Sequence, residues 1–204
     1  MTRGQRRGSA HRESGAAEGR RPHILGVDDA PFEKGQSPPV PVVGVVMEGA
    51  DRIESIALGE FPVDGEGATD YLALWISGLR ARPTLQAVIL GGITLAGLGI
   101  VDVTRLAERL ALPILVVTRR NPARSELAAA LEAAGLADRL PLLDRIPRAF
   151  GLGDGLYLSH AGSSRLEAER LVLGALAKSR LPEPLRVAHL VGQAIVLGET
   201  RGRV

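Results

Sequence analysis

No cysteine occurs among the 204 residues, and that absence removes three kinds of chemistry at once. A disulfide framework, a thiol nucleophile and a cysteine-ligated zinc are all excluded. Aromatic residues make up only 3% of the chain, so stacking platforms for single-stranded bases are poorly supplied. Long apolar runs are scarce too. The stretch LQAVILGGITLAGLGIV, inside a charge-free segment from Pro83 to Val101, comes nearest to the ~18 residues of a spanning helix. Its glycines at 91, 92, 97 and 99 and its β-branched residues fit a buried strand over 85–90 followed by a glycine loop instead. The first residues carry no signal-peptide pattern, which makes the cytoplasm the expected compartment.

What is present is enough for one good-sized core: 45% of the residues are apolar, so a single domain over 23–204 is expected. Charge is unevenly spread. Residues 1–22 hold six arginines against two glutamates, +4, so the remainder must be −2 to give the net +2. Rich in Gly, Ser and Ala, this stretch reads as a disordered basic tail, either an arm for phosphates or a plain solvated extension.

Strand patterns come first along the chain and alternation follows. ILGVD is a short strand, and VPVVGVVMEG (40–49) and DRIESIALGEFPV (51–63) form a meander about a turn at Gly49-Ala50-Asp51. In the second of these the alternation of apolar and polar positions is only partial. TDYLALWISGLRAR then reads as a helix, LQAVIL as a strand, VTRLAERLAL as a helix, PILVVT as a strand and NPARSELAAALEAAG as a helix. A Gly- and Pro-bearing loop leads to the strand LYLSHAG. Two helices close the chain, SSRLEAERLVLGALAKS and LPEPLRVAHLVGQAIVLG, the latter with prolines in its first turn, where a missing N–H costs nothing. Three antiparallel strands followed by alternating helix and strand give an α/β fold, a ribonuclease-H-like mixed sheet flanked by helices.

In that order the first strand is central, and the acids that end it, Asp28 and Asp29 in ILGVDDAPF, meet neighbouring elements at one edge of the sheet. Carboxylates gathered there repel one another unless a divalent cation neutralises them, and hard oxygen ligands suit Mg2+ or Mn2+. The competing reading of Asp-Asp-x-Pro is a turn. Gly91 and Gly92, after a strand and before a helix, allow close backbone approach to a nucleic-acid phosphate, or simply tight packing; the Lys-Ser/Thr of a P-loop is missing. His160, beside Gly162 at a strand end, suits either a structural or a site role. His189 and Arg186, about one turn apart, read as a polar pair.

From His23 to Leu197 the chain resembles the endonuclease V fold group, and more closely its sister family, domain of unknown function 99, to which the name endonuclease dU is attached. ILGVDDAPF, VVGVVMEGADRIESIALGEFPVDG, VILGGITLAGLGIVDV and LPEPLRVAHLVG carry the resemblance. It implies a divalent-metal-dependent endonuclease acting on DNA at deaminated bases, deoxyuridine by the family's name. Endonuclease V proteins end a strand on a metal-binding aspartate, which Asp28 matches, and start a helix with a catalytic glutamate, where Asp70 in ATDYLALW stands one methylene shorter. Their third acid is absent: Gly91 occupies its place. Arg120 stands for a lysine after the strand, and the expected histidine falls on Ala161, next to His160. The Pro-Tyr-Ile-Pro-Gly wedge is missing as well, so inosine readout does not carry over.

Asp28 and Asp70 are therefore the expected catalytic and metal-binding acids. Asp29 is the first candidate to complete the site, ahead of Asp64 and Asp102, which also suit a turn and a helix N-cap. A regular strand would turn Asp29 to the opposite face from Asp28. Two rival functions stay open: a nucleic-acid-binding homologue that no longer cleaves, and a hydrolase of nucleotides or small phosphate esters.

Overall fold

The apolar run ending in the two acids forms β1 (His23–Asp29), the third strand of a seven-stranded mixed sheet. In the computed structural model, residues 21–33, 39–121 and 123–201 are described. The expected tail, residues 1–22, lies outside them up to residue 20. Arg21 already pairs with Asp51, and Pro22 accepts the Gly49 amide.

β1 is covered on both faces, which is why its interior residues read as a continuous apolar run instead of alternating. It pairs antiparallel with β2 (Val40–Glu48), which pairs antiparallel with the edge strand β3 (Arg52–Phe61). A register shift at Val46/Met47 explains the partial alternation of β3. The extra residue, Glu54, brings Ile53 onto the same face as Ile56 and Leu58, turned away from α1 (Ala68–Ser77), and all three are exposed, while Gly59 lies under Tyr71 and Trp75 of that helix.

On its other side β1 pairs parallel with β4 (Ala87–Leu90), and β4 with β7 (Ile114–Thr118). Between these two strands lies what the sequence presents as a glycine loop. It contains a two-stranded ladder, β5 (Thr94–Leu95) with β6 (Gly99–Ile100), and then α2 (Val103–Leu110). After β7 come α3 (Arg124–Ala133) and the single turn α4 (Leu140–Leu143). The segment expected as loop then supplies a further strand, β8 (Phe150–Gly153), which pairs with β9 (Leu156–Ala161), itself antiparallel to β7. The three antiparallel strands followed by helix-strand alternation are thus found as expected, in the order β3-β2-β1-β4-β7-β9-β8.

α1, α2 and α3 cover one face of the sheet. α5 (Arg165–Gly174) and α6 (Glu183–Leu197) cover the other. No helix among the described residues is long and apolar enough to cross a membrane.

Two glycines fix the seat of α6. A Cβ on Gly26 would lie 2.5 Å from the carbonyl oxygen of Pro184, and one on Gly192 would lie 3.1 Å from the Cα of Ala30. The helix therefore runs along β1 in the same direction. Eight helical residues, about 12 Å at 1.5 Å each, track four strand residues, about 13 Å. The start of α6 is held by Glu183, which is buried and bonded through both carboxylate oxygens to Arg186, as close as 2.6 Å. Arg186 is thus committed to Glu183 and does not pair with His189, as the sequence had led us to expect.

Candidate active site

Because α6 tracks β1, a residue between its two contact points stands beside the end of the strand. That residue is His189, five positions after Pro184 and three before Gly192. Its Nδ1 lies 2.8 Å from Oδ2 of Asp28, a contact across 161 residues of sequence. The hydrogen bond to Asp28 is the main cause that raises the His189 pKa above its ordinary value, and the Asp28 charge adds to it; burial and the Arg119 charge oppose.

Asp28 stands where two cavities meet. On the α6 face a cleft of about 720 Å³ is lined by Asp28, Gly91, Val117, Thr118, Arg119, Arg120, Leu181, Leu185 and His189. Arg119 and Arg120 are exposed and make no ion pair among the described residues, which leaves both guanidinium groups available for phosphate oxygens. A smaller cavity of about 120 Å³ opens under the end of β4, lined by both Asp28 and Asp29 together with Gly91, Gly92 and Thr94. β1 keeps its pairing with β2 through Asp29, opposite Val42, so the two side chains leave opposite faces of the strand as a regular pleat requires.

The pair is electrostatically strained. Burial and the neighbouring Asp28 charge push the Asp29 pKa up to about 6, against smaller opposing contributions from backbone hydrogen bonds and His189. With the folded pKa above the unfolded value of 3.8, stability relative to the ionised state is fully present below about pH 4. It is lost as pH rises through about 6. Asp29→Asn is therefore expected to be more stable than the natural protein at about pH 8, by roughly 1 to 2 kcal/mol once partial solvent screening is allowed for. The gain should vanish below about pH 4 in parallel denaturant titrations with chelator present. A gain that persists in acid would mean that packing, not charge, is responsible.

Gly91 lines both cavities, and its missing side chain shapes them. A Cβ there would sit 3.3 Å from Oδ1 of Asp28 and 3.4 Å from Leu185. The place of the expected third acid is thus largely filled by Asp28 and the first turn of α6.

Asp70 is placed elsewhere. In the first turn of α1 it points to α2, where it pairs with Arg105 at 3.1 Å and with Arg109, and it is half exposed. It is not among the described residues lining either cavity. The reason is helical phase: Thr69, Leu72 and Ala73 face inward, which turns Asp70 outward. His160 also lies away from Asp28. It is opposite Leu115, hence level with Ile89 and Gly26, two residues short of the sheet edge, and it packs edge-on against Phe150.

The two other acids have local duties. Asp64 accepts the Leu98 amide at 2.7 Å from a left-handed turn, and Asp102 caps α2 through the Arg105 amide at 3.0 Å while pairing with Arg145. Of the sequence-predicted residues, the structure gathers Asp28, Asp29, Gly91, Gly92 and Arg120. His189 and Arg119, which sequence reasoning left out, join them. A signal for His189 existed: it lies three residues before Gly192, on the helix face that two glycines press against β1.

No group of three or more His, Asp or Glu side chains able to hold a metal occurs among the described residues. Asp28 and Asp29 leave opposite faces of β1 and share only the small cavity under the end of β4, so their two carboxylates suit a single hard cation that keeps several of its waters better than a two-metal site.

The sequence model described as endonuclease dU matches residues 20–196. A UPF0215 protein of Methanothermobacter thermautotrophicus is 33% identical, over 88% of this chain and 90% of its own length. A UPF0215 protein of Deinococcus radiodurans is 35% identical, over 89% and 92%. Among solved structures, a protein of unknown function from Archaeoglobus fulgidus superposes with a TM-score of 0.79 at 33% identity, covering 86% of this chain and 99% of that one. Endonuclease V of Ciona intestinalis, in complex with a 24-nucleotide DNA containing an inosine, superposes with a TM-score of 0.53 at 14% identity, covering 82% of each chain. At that identity the likeness is one of fold.

Proposed function

Since the chain belongs to the endonuclease dU family, we propose that it is a divalent-metal-dependent endonuclease that cuts DNA at or near a deaminated base, deoxyuridine above all. One observation carries the reading. The cleft on the α6 face sets the carboxylate of Asp28 opposite the unpaired cations Arg119 and Arg120, the arrangement that a phosphodiester and a hard cation together require. Its partner on this reading is DNA, as in the endonuclease V complex with inosine-containing DNA.

Asp28, through Oδ1, and Asp29 would hold a magnesium or manganese ion. When bound, it would polarise a phosphate oxygen and lower the pKa of its water. Arg119 and Arg120 bind and orient the phosphate, and His189 keeps the Asp28 carboxylate turned to the cleft. A uracil opposite guanine costs little to extrude, which favours attack at such a lesion. The test is incubation of the purified protein with uracil-containing, inosine-containing and undamaged duplexes, with Mg2+, with Mn2+ and with chelator. Metal-dependent nicking of the uracil duplex is expected. Cutting that survives chelator would remove the metal from the mechanism.

A second reading, binding without cleavage, draws on Gly91 in the acid's place and on Asp70 facing α2. Tight binding of the lesion duplex with no cut under either metal would decide for it.

A further inference from the structure

Behind His189 the structure continues a hydrogen-bond chain that the proposed reaction leaves unused. One turn further along α6, Gln193 sets its Nε2 3.0 Å from Nε2 of His189. On its other side the Gln193 Oε1 accepts the backbone N–H of Arg201 at 2.8 Å, where the chain folds back after Gly198 ends the helix in the left-handed region.

The second bond decides the first. A backbone N–H is only a donor, so the Gln193 atom that meets it is the carbonyl oxygen, and the NH2 group is turned to the imidazole. An amide NH2 in turn only donates. Nε2 of His189 is therefore an acceptor without a proton, and the single ring proton is on Nδ1, from which it donates to Oδ2 of Asp28.

We propose that Gln193, oriented by the Arg201 amide, is a positioning residue that holds His189 as the neutral Nδ1–H tautomer. This keeps Oδ2 of Asp28 engaged and leaves Oδ1 facing Gly91, where both cavities meet. Every link is a distance in the molecule: Arg201 N–H to Gln193, Gln193 to His189, His189 to Asp28. The tautomer assignment stands independently of the nuclease reading; only its consequence for cleavage rests on that reading.

The experiment is two-bond 1H–15N correlation spectroscopy of the imidazole nitrogens in the full-length protein at about pH 8, with the His189 signals identified by their loss in His189→Gln. In the natural protein a protonated Nδ1 and an unprotonated Nε2 are expected. Gln193→Glu puts an acceptor where the donor stood and should protonate Nε2. Arg201→Pro deletes the backbone N–H that orients Gln193 and changes an exposed position only, so the core is untouched. It should give a mixture of tautomers. A protonated Nε2 in the natural protein, or an unchanged spectrum in both variants, overturns the proposal.

These spectra need no enzymatic activity, so a protein that cuts nothing would sink the nuclease reading and leave the tautomer to its own test. If cleavage is observed, Gln193→Leu should lower kcat about tenfold with KM unchanged, as loss of an orienting outer partner does. An unchanged kcat would remove the catalytic consequence and keep the tautomer.

Discussion

Asp28→Asn is expected to abolish strand cleavage while the protein stays folded. The substitution conserves shape, and the Asn carbonyl oxygen can still accept the Nδ1–H of His189, so the seat of α6 on β1 is kept. What disappears is the negative charge at the point where the two cavities meet. Loss of one preorganised electrostatic partner lowers rates by on the order of a hundredfold or more, and a carboxylate that also holds the cation should lie at the upper end of that range. Stability should be equal or slightly higher, because Asp29 loses its neighbouring like charge. The measurements are nicking of the uracil duplex under single turnover and the denaturant midpoint, side by side. Undiminished cleavage by Asp28→Asn would take Asp28 out of the mechanism.

The largest structural effect is expected from Gly26→Ala, a change of one methyl group. The new Cβ would fall on the backbone of Pro184 and Leu185, and backbone cannot rotate aside as the end of a flexible side chain can. Either β1 or the first turn of α6 has to move. β1 is clamped between β2 and β4, so the helix yields. Overpacking of this kind costs about 3 kcal/mol or more, which corresponds to a fall of roughly 10 °C in Tm for a chain of this size. Displacing the helix also draws His189 away from Asp28, so cleavage should drop further than stability alone accounts for. For Gly192→Ala the nearest atoms all belong to Ala30, its Cα and Cβ at 3.1 and 3.3 Å and its nitrogen at 3.5 Å, so this change should cost less. Thermal midpoints of the two variants near that of the natural protein would show that α6 is not held by these close contacts.

The order of the elements was legible in the sequence wherever a period was long and strong. The run ILGVD marked a strand covered on both sides, the switch of period after Ala68 marked the first helix, and Asp102 announced the N-cap that it forms. β8 was not legible, because FGLG is short, has two glycines and half-exposed side chains, and gains its structure only from β9. The β5–β6 ladder escaped for the same reason: two-residue strands have no period to read.

At the site, the sequence by itself determined that a central strand ends on Asp28 and Asp29, a consequence of local pattern and chain order. The resemblance to endonuclease V proteins added Gly91 in the place of an acid and Arg120 after β7, but not the neighbouring Arg119, which only the folded cleft brings in. Tertiary structure alone decided which partners the acids take. Asp70 and Asp28 are both acids at element ends, yet the rotation of α1 about its axis turns Asp70 to the arginines of α2. The contact of α6 with Gly26 and Gly192 brings His189 to Asp28. The spacing of residues along one helix records which of them share a face, but the direction of that face is fixed by packing against strands distant in sequence. For that reason the histidine that meets Asp28 comes from the last helix of the chain.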